Sequence, residues 1–121
     1  MRIGEMARCA GVSPRALRYY EQQGLISADR DANGYRVYDD DSVDLVRKIA
    51  HLLRAGLSSE DVLGFVECLR TKDPVPDADC VTALQVFSER LGALDERIRA
   101  LTQMRDRLAV ERDRVADHLR R

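Results

Sequence analysis

From Cys80 to Leu119 apolar residues recur in alternating steps of four and three: Cys80, Leu84, Phe87, Leu91, Leu94, Ile98, Leu101, Leu108, Val115 and Leu119, interrupted only at Arg105 and Arg112. This is the seam of a heptad repeat, and it constrains the chain more than any other feature. A continuous helix over it is roughly 60 Å long at 1.5 Å per residue. Its other faces are charged, so it cannot be a core helix of one small domain. Burying each seam side chain is worth about 1.5–3 kcal/mol, on the order of ten kcal/mol per helix before ordering costs, all forfeited by a helix left alone. The simplest partner is the same helix of a second copy, most simply antiparallel about a two-fold axis. Leu84, Phe87, Leu91, Leu94, Ile98, Leu101, Leu108 and Val115 are therefore the expected dimerisation residues.

The remaining 79 residues suffice for one small domain. Net charge is only −1, so overall charge does not mark a nucleic-acid binder. Its distribution is more informative: the acidic excess is confined to 59–79, which hold six carboxylates against two cations. Within that segment Thr71-Lys72-Asp73-Pro74-Val75-Pro76-Asp77-Ala78-Asp79 reads as a linker. The expected organisation is a domain over 1–71, a linker over 72–79 and a helix over 80–121. No apolar run is long enough to span a bilayer, and Arg2, Glu5 and Arg8 stand where a signal sequence has its apolar core. A cytoplasmic protein without a membrane partner is expected.

Near the N-terminus, Ile3, Met6, Ala7 and Ala10 recur at helical spacing before Gly11, a residue suited to a left-handed helix end. Ser13 then supplies an N-cap and Pro14 a first helical residue, with Val12 and Leu17 placed as a staple. In this second helix Ala16, Leu17 and Tyr20 face a core, while Arg15, Arg18 and Tyr19 spread over a basic, aromatic outer side. Two short helices about a glycine turn form a helix-turn-helix, whose second helix enters a DNA major groove by its N-terminal end. An ordinary helical hairpin with a solvated charged face is the competing reading.

The helix ends at Gly24, and Leu25 and Ile26 return to the core. Asn33-Gly34 suits a two-residue hairpin turn, followed by a strand in which Tyr35 and Val37 share one face and Arg36 and Tyr38 the other. Such a hairpin is a wing with Arg36 directed at phosphate, or else a small cap on the core. Asp39-Asp40-Asp41-Ser42 supplies an acidic N-cap and first turn to a third helix carrying Val43, Val46, Ile49, Ala50 and Leu53 on one stripe, and with Asp39 as the cap Tyr38 and Val43 are spaced as a second staple. Ser58 and Asp61 are spaced as a capping box opening a fourth helix through Leu69. Arg54, at the turn between these two helices, is a candidate second phosphate contact.

Ile3-Gly4-Glu5-Met6-Ala7 with Gly11-Val12-Ser13, Leu17-Arg18-Tyr19-Tyr20-Glu21 with Gly24-Leu25-Ile26, Asn33-Gly34-Tyr35-Arg36-Val37-Tyr38, and then Gly56-Leu57-Ser58 closely resemble the MerR family of bacterial transcription regulators. The resemblance continues into the C-terminal helix. It implies a mainly α fold, a winged helix-turn-helix DNA-binding head followed by a long coiled-coil dimerisation helix. The homodimer would bind double-stranded promoter DNA, beside RNA polymerase, across a spacer too long for the polymerase. Carried over by position, the DNA contacts are Ser13, Arg15, Arg18, Tyr19, Tyr35, Arg36, Tyr38 and Arg54.

Metal-sensing members of that family carry a further cysteine-bearing loop after the dimer helix, and nothing similar occurs up to Arg121. No metal site and no cofactor are expected. Cys9, Cys68 and Cys80 are an odd, widely spaced set, unlike a disulfide framework or a zinc site. Cys80 continues the seam as a small apolar residue, yet Cys68 precedes the linker and can approach it, so the two form a candidate thiol or soft-metal sensor. A coiled-coil adaptor that ignores DNA is the remaining alternative, although it leaves the recognition helix and wing without a task. Catalysis is not expected: the sequence has no Ser/His/Asp set and no glycine-rich phosphate loop.

Overall fold

A computed structural model describes residues 1–70 and 78–121. Two compact units emerge, Met1–Val86 and Phe87–Arg121. The first contains helices α1 (Ile3–Ala10) and α2 (Pro14–Gln22), strands β1 (Asp29–Arg30) and β2 (Arg36–Val37), and helices α3 (Ser42–Arg54), α4 (Ser59–Leu63) and α5 (Val66–Arg70). It also includes the first turns of α6 (Ala78–Arg120), whose later turns form the second unit. Most of the expected linker, 72–77, lies outside the described residues. The unit boundary falls later than the composition shift at the prolines, and Ala83 in the early part of α6 is buried.

The local start and stop signals operate as physical chemistry requires. Gly11 ends α1 with φ +70°, a left-handed conformation that glycine adopts without a Cβ clash, and the Val12 amide returns to the Ala7 carbonyl at 3.0 Å. Ser13 caps α2, its Oγ accepting from the Ala16 amide at 3.0 Å. α1 packs against α2 and α3, burying Met6, Ala7, Leu17, Val46 and Ile49 in one core, with Leu25 and Ile26 folded back into it after α2.

The capping box at α4 is complete: Ser58 Oγ accepts from the Asp61 amide at 3.0 Å and Asp61 Oδ2 from the Ser58 amide at 3.3 Å. Ser58→Ala should destabilise the protein by about 1 kcal/mol. Thermal melting checks this, with Ser58→Thr expected to restore the loss.

Three expectations about local structure are corrected. The single helix foreseen from Ser58 to Leu69 is broken into α4 and α5, because Gly64, Phe65 and Cys68 all donate to carbonyls three residues back, tightening the chain as it buries Phe65 and Val66. α3 begins after Asp41, with no side-chain cap from the acidic run; instead the Ser42 amide bonds the Asp39 carbonyl and the Val43 amide the Asp40 carbonyl. The hairpin turn is longer than two residues. β1 pairs antiparallel with β2 in the register Asp29 to Val37 and Arg30 to Arg36. Asp31 N then donates to Tyr35 O at 3.0 Å, which leaves 32–34 as the connection. Gly34, at φ +81°, supplies the left-handed residue that such three-residue loops need.

Candidate nucleic-acid interface

The helix–turn–helix presents the expected face. Leu17 and Tyr20 are buried, whereas Ser13, Arg15, Arg18 and Tyr19 are exposed. Among the described residues neither Arg15 nor Arg18 takes part in an ion pair, so both guanidiniums keep their donors for a ligand. Tyr19 is 44% exposed, and its hydroxyl shares a 3.2 Å hydrogen bond with Ser59 Oγ, which in turn donates to Gln23 Oε1 at 3.3 Å. The end of α2 is thereby tied to the start of α4.

Beside α2 the hairpin builds a second basic surface. The Asp31 carboxylate organises its tip, accepting from the Asn33 amide at 2.9 Å and the Tyr35 amide at 3.0 Å, with Arg2 Nη2 at 3.3 Å. The hydrogen bond from Tyr35, with help from Asn33 and Arg2, holds this carboxyl below its ordinary pKa. Arg2 also lies over the Tyr35 ring, its Cζ 4.8 Å from the centroid, and Arg30 Nη1 donates to the Gly34 carbonyl at 3.2 Å. Together Arg2, Arg18, Arg30, Arg36 and Tyr35 line a concavity of about 150 Å³. Four guanidiniums thus surround one hollow between recognition helix and wing, two of them, Arg2 and Arg36, paired with the carboxylates of Asp31 and Glu21.

Arg36 is not free within it. Its Nε donates to Glu21 Oε2 at 2.7 Å, a part-buried ion pair joining the wing to the last turn of α2. Glu21, Arg2 and Arg30 went unremarked as site residues in the sequence. Arg2 is 29 residues from Asp31 and Glu21 is 15 from Arg36, separations at which no local spacing rule applies.

Tyr38 does not reach the basic surface with Arg36. The Met1 ammonium donates to the Tyr38 carbonyl and the Tyr38 amide to the Met1 carbonyl, each at 2.6 Å, while Arg2 bridges Val37. The N-terminus thus closes the end of β2 and turns the Tyr38 ring inward, leaving it 1% exposed. Burial, with Glu21 nearby, raises the Tyr38 phenol pKa, opposed by Arg36, Arg18 and Arg30. Tyr38 is a core residue beneath the basic surface, and Tyr35, 58% exposed, is the wing's outward phenol. Arg54 is exposed but partly engaged, its Nη2 donating to the Gly11 carbonyl at 3.3 Å across the helix–turn–helix.

Of the seam residues, Leu84 belongs to the first unit and is 66% exposed. In the second unit Leu91, Leu94, Ile98, Leu101, Leu108 and Val115 are exposed and Phe87 is half-buried. Cys68 and Cys80 are joined in a disulfide, with Cα atoms 5.3 Å apart, a pairing that their wide spacing in the sequence did not suggest, while Cys9 is a free, exposed cysteine. Among the described residues no group of three or more His, Cys, Asp or Glu is placed to hold a metal ion, and no helix is long and apolar enough to cross a membrane.

A capped recognition helix flanked by a basic hairpin, followed by a helix with an apolar seam, defines a winged helix-turn-helix DNA-binding protein. Residues 2–38 match the model of the MerR family regulatory protein and residues 43–110 that of the MerR DNA-binding region. The chain belongs to the MerR family and is a DNA-binding transcriptional regulator. It is 35% identical over 105 residues to the HTH-type transcriptional regulator HmrR of Sinorhizobium medicae (strain WSM419), covering 86% of this chain and 69% of that protein. To the HTH-type transcriptional regulator ZntR of Escherichia coli (strain K12) it is 31% identical, covering 85% of this chain and 72% of the other. Among solved structures, a MerR family transcriptional regulator from Listeria monocytogenes superimposes with a TM-score of 0.67 at 26% identity, over 98% of this chain and 88% of that one. HiNmlR, a MerR family regulator lacking the sensor domain and bound to promoter DNA, shares the fold with a TM-score of 0.61 at 24% identity, over 92% and 86% of the two chains.

Proposed function

We propose that this regulator binds double-stranded promoter DNA as a homodimer in the cytoplasm, with α2 in the major groove and the hairpin on the adjacent backbone. The observation that carries the reading is that the exposed, ion-pair-free Arg18 of α2 lines one hollow with Arg2, Arg30 and Arg36 beside the wing, while Arg15 is exposed on the same helix. Arg15, Arg18 and Tyr19, with Ser13 at the helix start, address bases and the nearest phosphates, while Arg2, Arg30, Arg36 and Tyr35 hold the flanking backbone. Arg54 adds a phosphate contact through its remaining donors. HiNmlR, which shares the fold, is bound to promoter DNA, and the same class of site is inferred here.

Dimerisation through the exposed seam places two heads on two half-sites, and the DNA between them is deformed as the angle between heads changes. Such deformation realigns promoter elements for RNA polymerase at the same site. An effector then acts by favouring one DNA geometry over another, and needs little effect on affinity. No catalytic role is assigned to any residue.

The test is binding of the purified chain to duplex fragments of its own upstream region at several salt concentrations. Affinity should fall steeply as salt rises. Arg18→Ala should weaken specific binding by about 1–3 kcal/mol, and equal affinity of variant and parent for the operator would remove Arg18 from the interface.

A further inference from the structure

We propose that Cys68 and Cys80 form a reversible two-electron oxidation site for a hydroperoxide, whose product disulfide fastens α5 to the first turn of α6. The Cα separation of 5.3 Å lies inside the range that a disulfide spans without backbone movement. Both residues are half-buried in the same compact unit, shielded yet reachable by a small oxidant. Cys68 stands on a fixed base: its amide donates to the Phe65 carbonyl at 3.0 Å, and Lys48 Nζ from α3 donates to the neighbouring Leu69 carbonyl at 3.2 Å. Cys80 is three residues before the buried Ala83. Cys9, exposed on α1, is the built-in comparison.

The resting state rests on the DNA-binding reading above, since a transcription regulator works where glutathione and thioredoxin keep standing disulfides rare. The pair is then a dithiol until a hydroperoxide arrives. One thiolate sulfur attacks the peroxide, an S–O bond forms as the O–O bond breaks, and the departing oxygen takes a proton to leave as water or an alcohol. The second thiol attacks the resulting sulfenic sulfur, forming the S–S bond and releasing the hydroxyl as water. The two sulfurs together lose two electrons and the peroxide gains them; a dithiol reductant reverses the change. The disulfide cross-links residues 12 apart in sequence and so restricts the unfolded chain.

The experiment treats the reduced full-length chain with equimolar hydrogen peroxide and reads intact mass, alkylatable thiols and thermal melting. The expected product has lost two hydrogens, keeps one of its three thiols, at Cys9, and melts at least about 5 °C higher, all reversed by dithiothreitol. Cys9→Ser should behave as the parent, while Cys68→Ser and Cys80→Ser should fold and show neither the mass change nor the melting shift. Three thiols still reactive after peroxide, oxidation confined to Cys9, or an unchanged melting point would overturn the proposal. A chain that forms the disulfide but binds no duplex would remove the DNA-binding reading and leave the oxidation site standing.

Discussion

Arg36→Ala should weaken operator binding by about 2–3 kcal/mol, roughly 30- to 150-fold, more than expected for loss of one phosphate contact. Two effects combine. The wing loses its most enclosed guanidinium, 28% exposed, and Glu21, 23% exposed, is left as an unbalanced carboxylate at the rim of the DNA surface. Repulsion between that carboxylate and phosphate supplies the excess. Glu21→Gln in the Arg36→Ala background should therefore recover part of the affinity, although it restores no contact to DNA. Fluorescence anisotropy over a salt series checks both points: the slope of log affinity against log salt should become shallower by about one for Arg36→Ala. Identical affinities for the single and double variants would mean that the pair does not couple wing to helix in the complex.

A pair of charges in the seam should have the larger effect. Leu94 and Ile98 are 37% and 61% exposed in the single chain, so Leu94→Glu with Ile98→Glu should leave the head folded. In the proposed dimer the same substitutions bury carboxylates against a second seam, where ionised groups cannot be desolvated without pairing. Sedimentation should then report monomers at concentrations where the parent is a dimer. Operator affinity should fall by about 10²–10⁴, because the second half-site is no longer held at high effective concentration by the first. A dimeric double variant would move the interface away from the seam.

Local signals made much of the head legible in the sequence. Ser13 with Pro14, Gly11, and Ser58 with Asp61 each act within one helical turn, so their spacing alone identifies the helix starts and stops that the structure contains. The seam was legible for a related reason, since its period is a property of one helix. What escaped the sequence depends on tertiary neighbours. The alternation rule placed Tyr38 beside Arg36, but β2 is only two residues long and the chain's own N-terminus pairs with its end, so the alternation stops before Tyr38. The acidic run 39–41 looked like a cap, yet backbone turns satisfied the first amides of α3 instead. Arg2 and Glu21 joined the site only because folding brings the hairpin tip against the N-terminus and the wing against the end of α2.

The two arginines of α3 that reach back to α1 carry a mechanical implication. Arg47 Nη2 donates to the Cys9 carbonyl at 2.6 Å and Arg54 Nη2 to the Gly11 carbonyl at 3.3 Å, so both grip the turn from which α2 departs. Charge-assisted bonds to terminal carbonyls resist sliding along the helix axis as well as separation. With the Tyr19 hydroxyl joined to Ser59 Oγ on the other side, the recognition helix is tied to both α3 and α4. In the proposed complex the head would then act as a gear tooth, with torque reaching it spent on the DNA more than on rearranging its own helices.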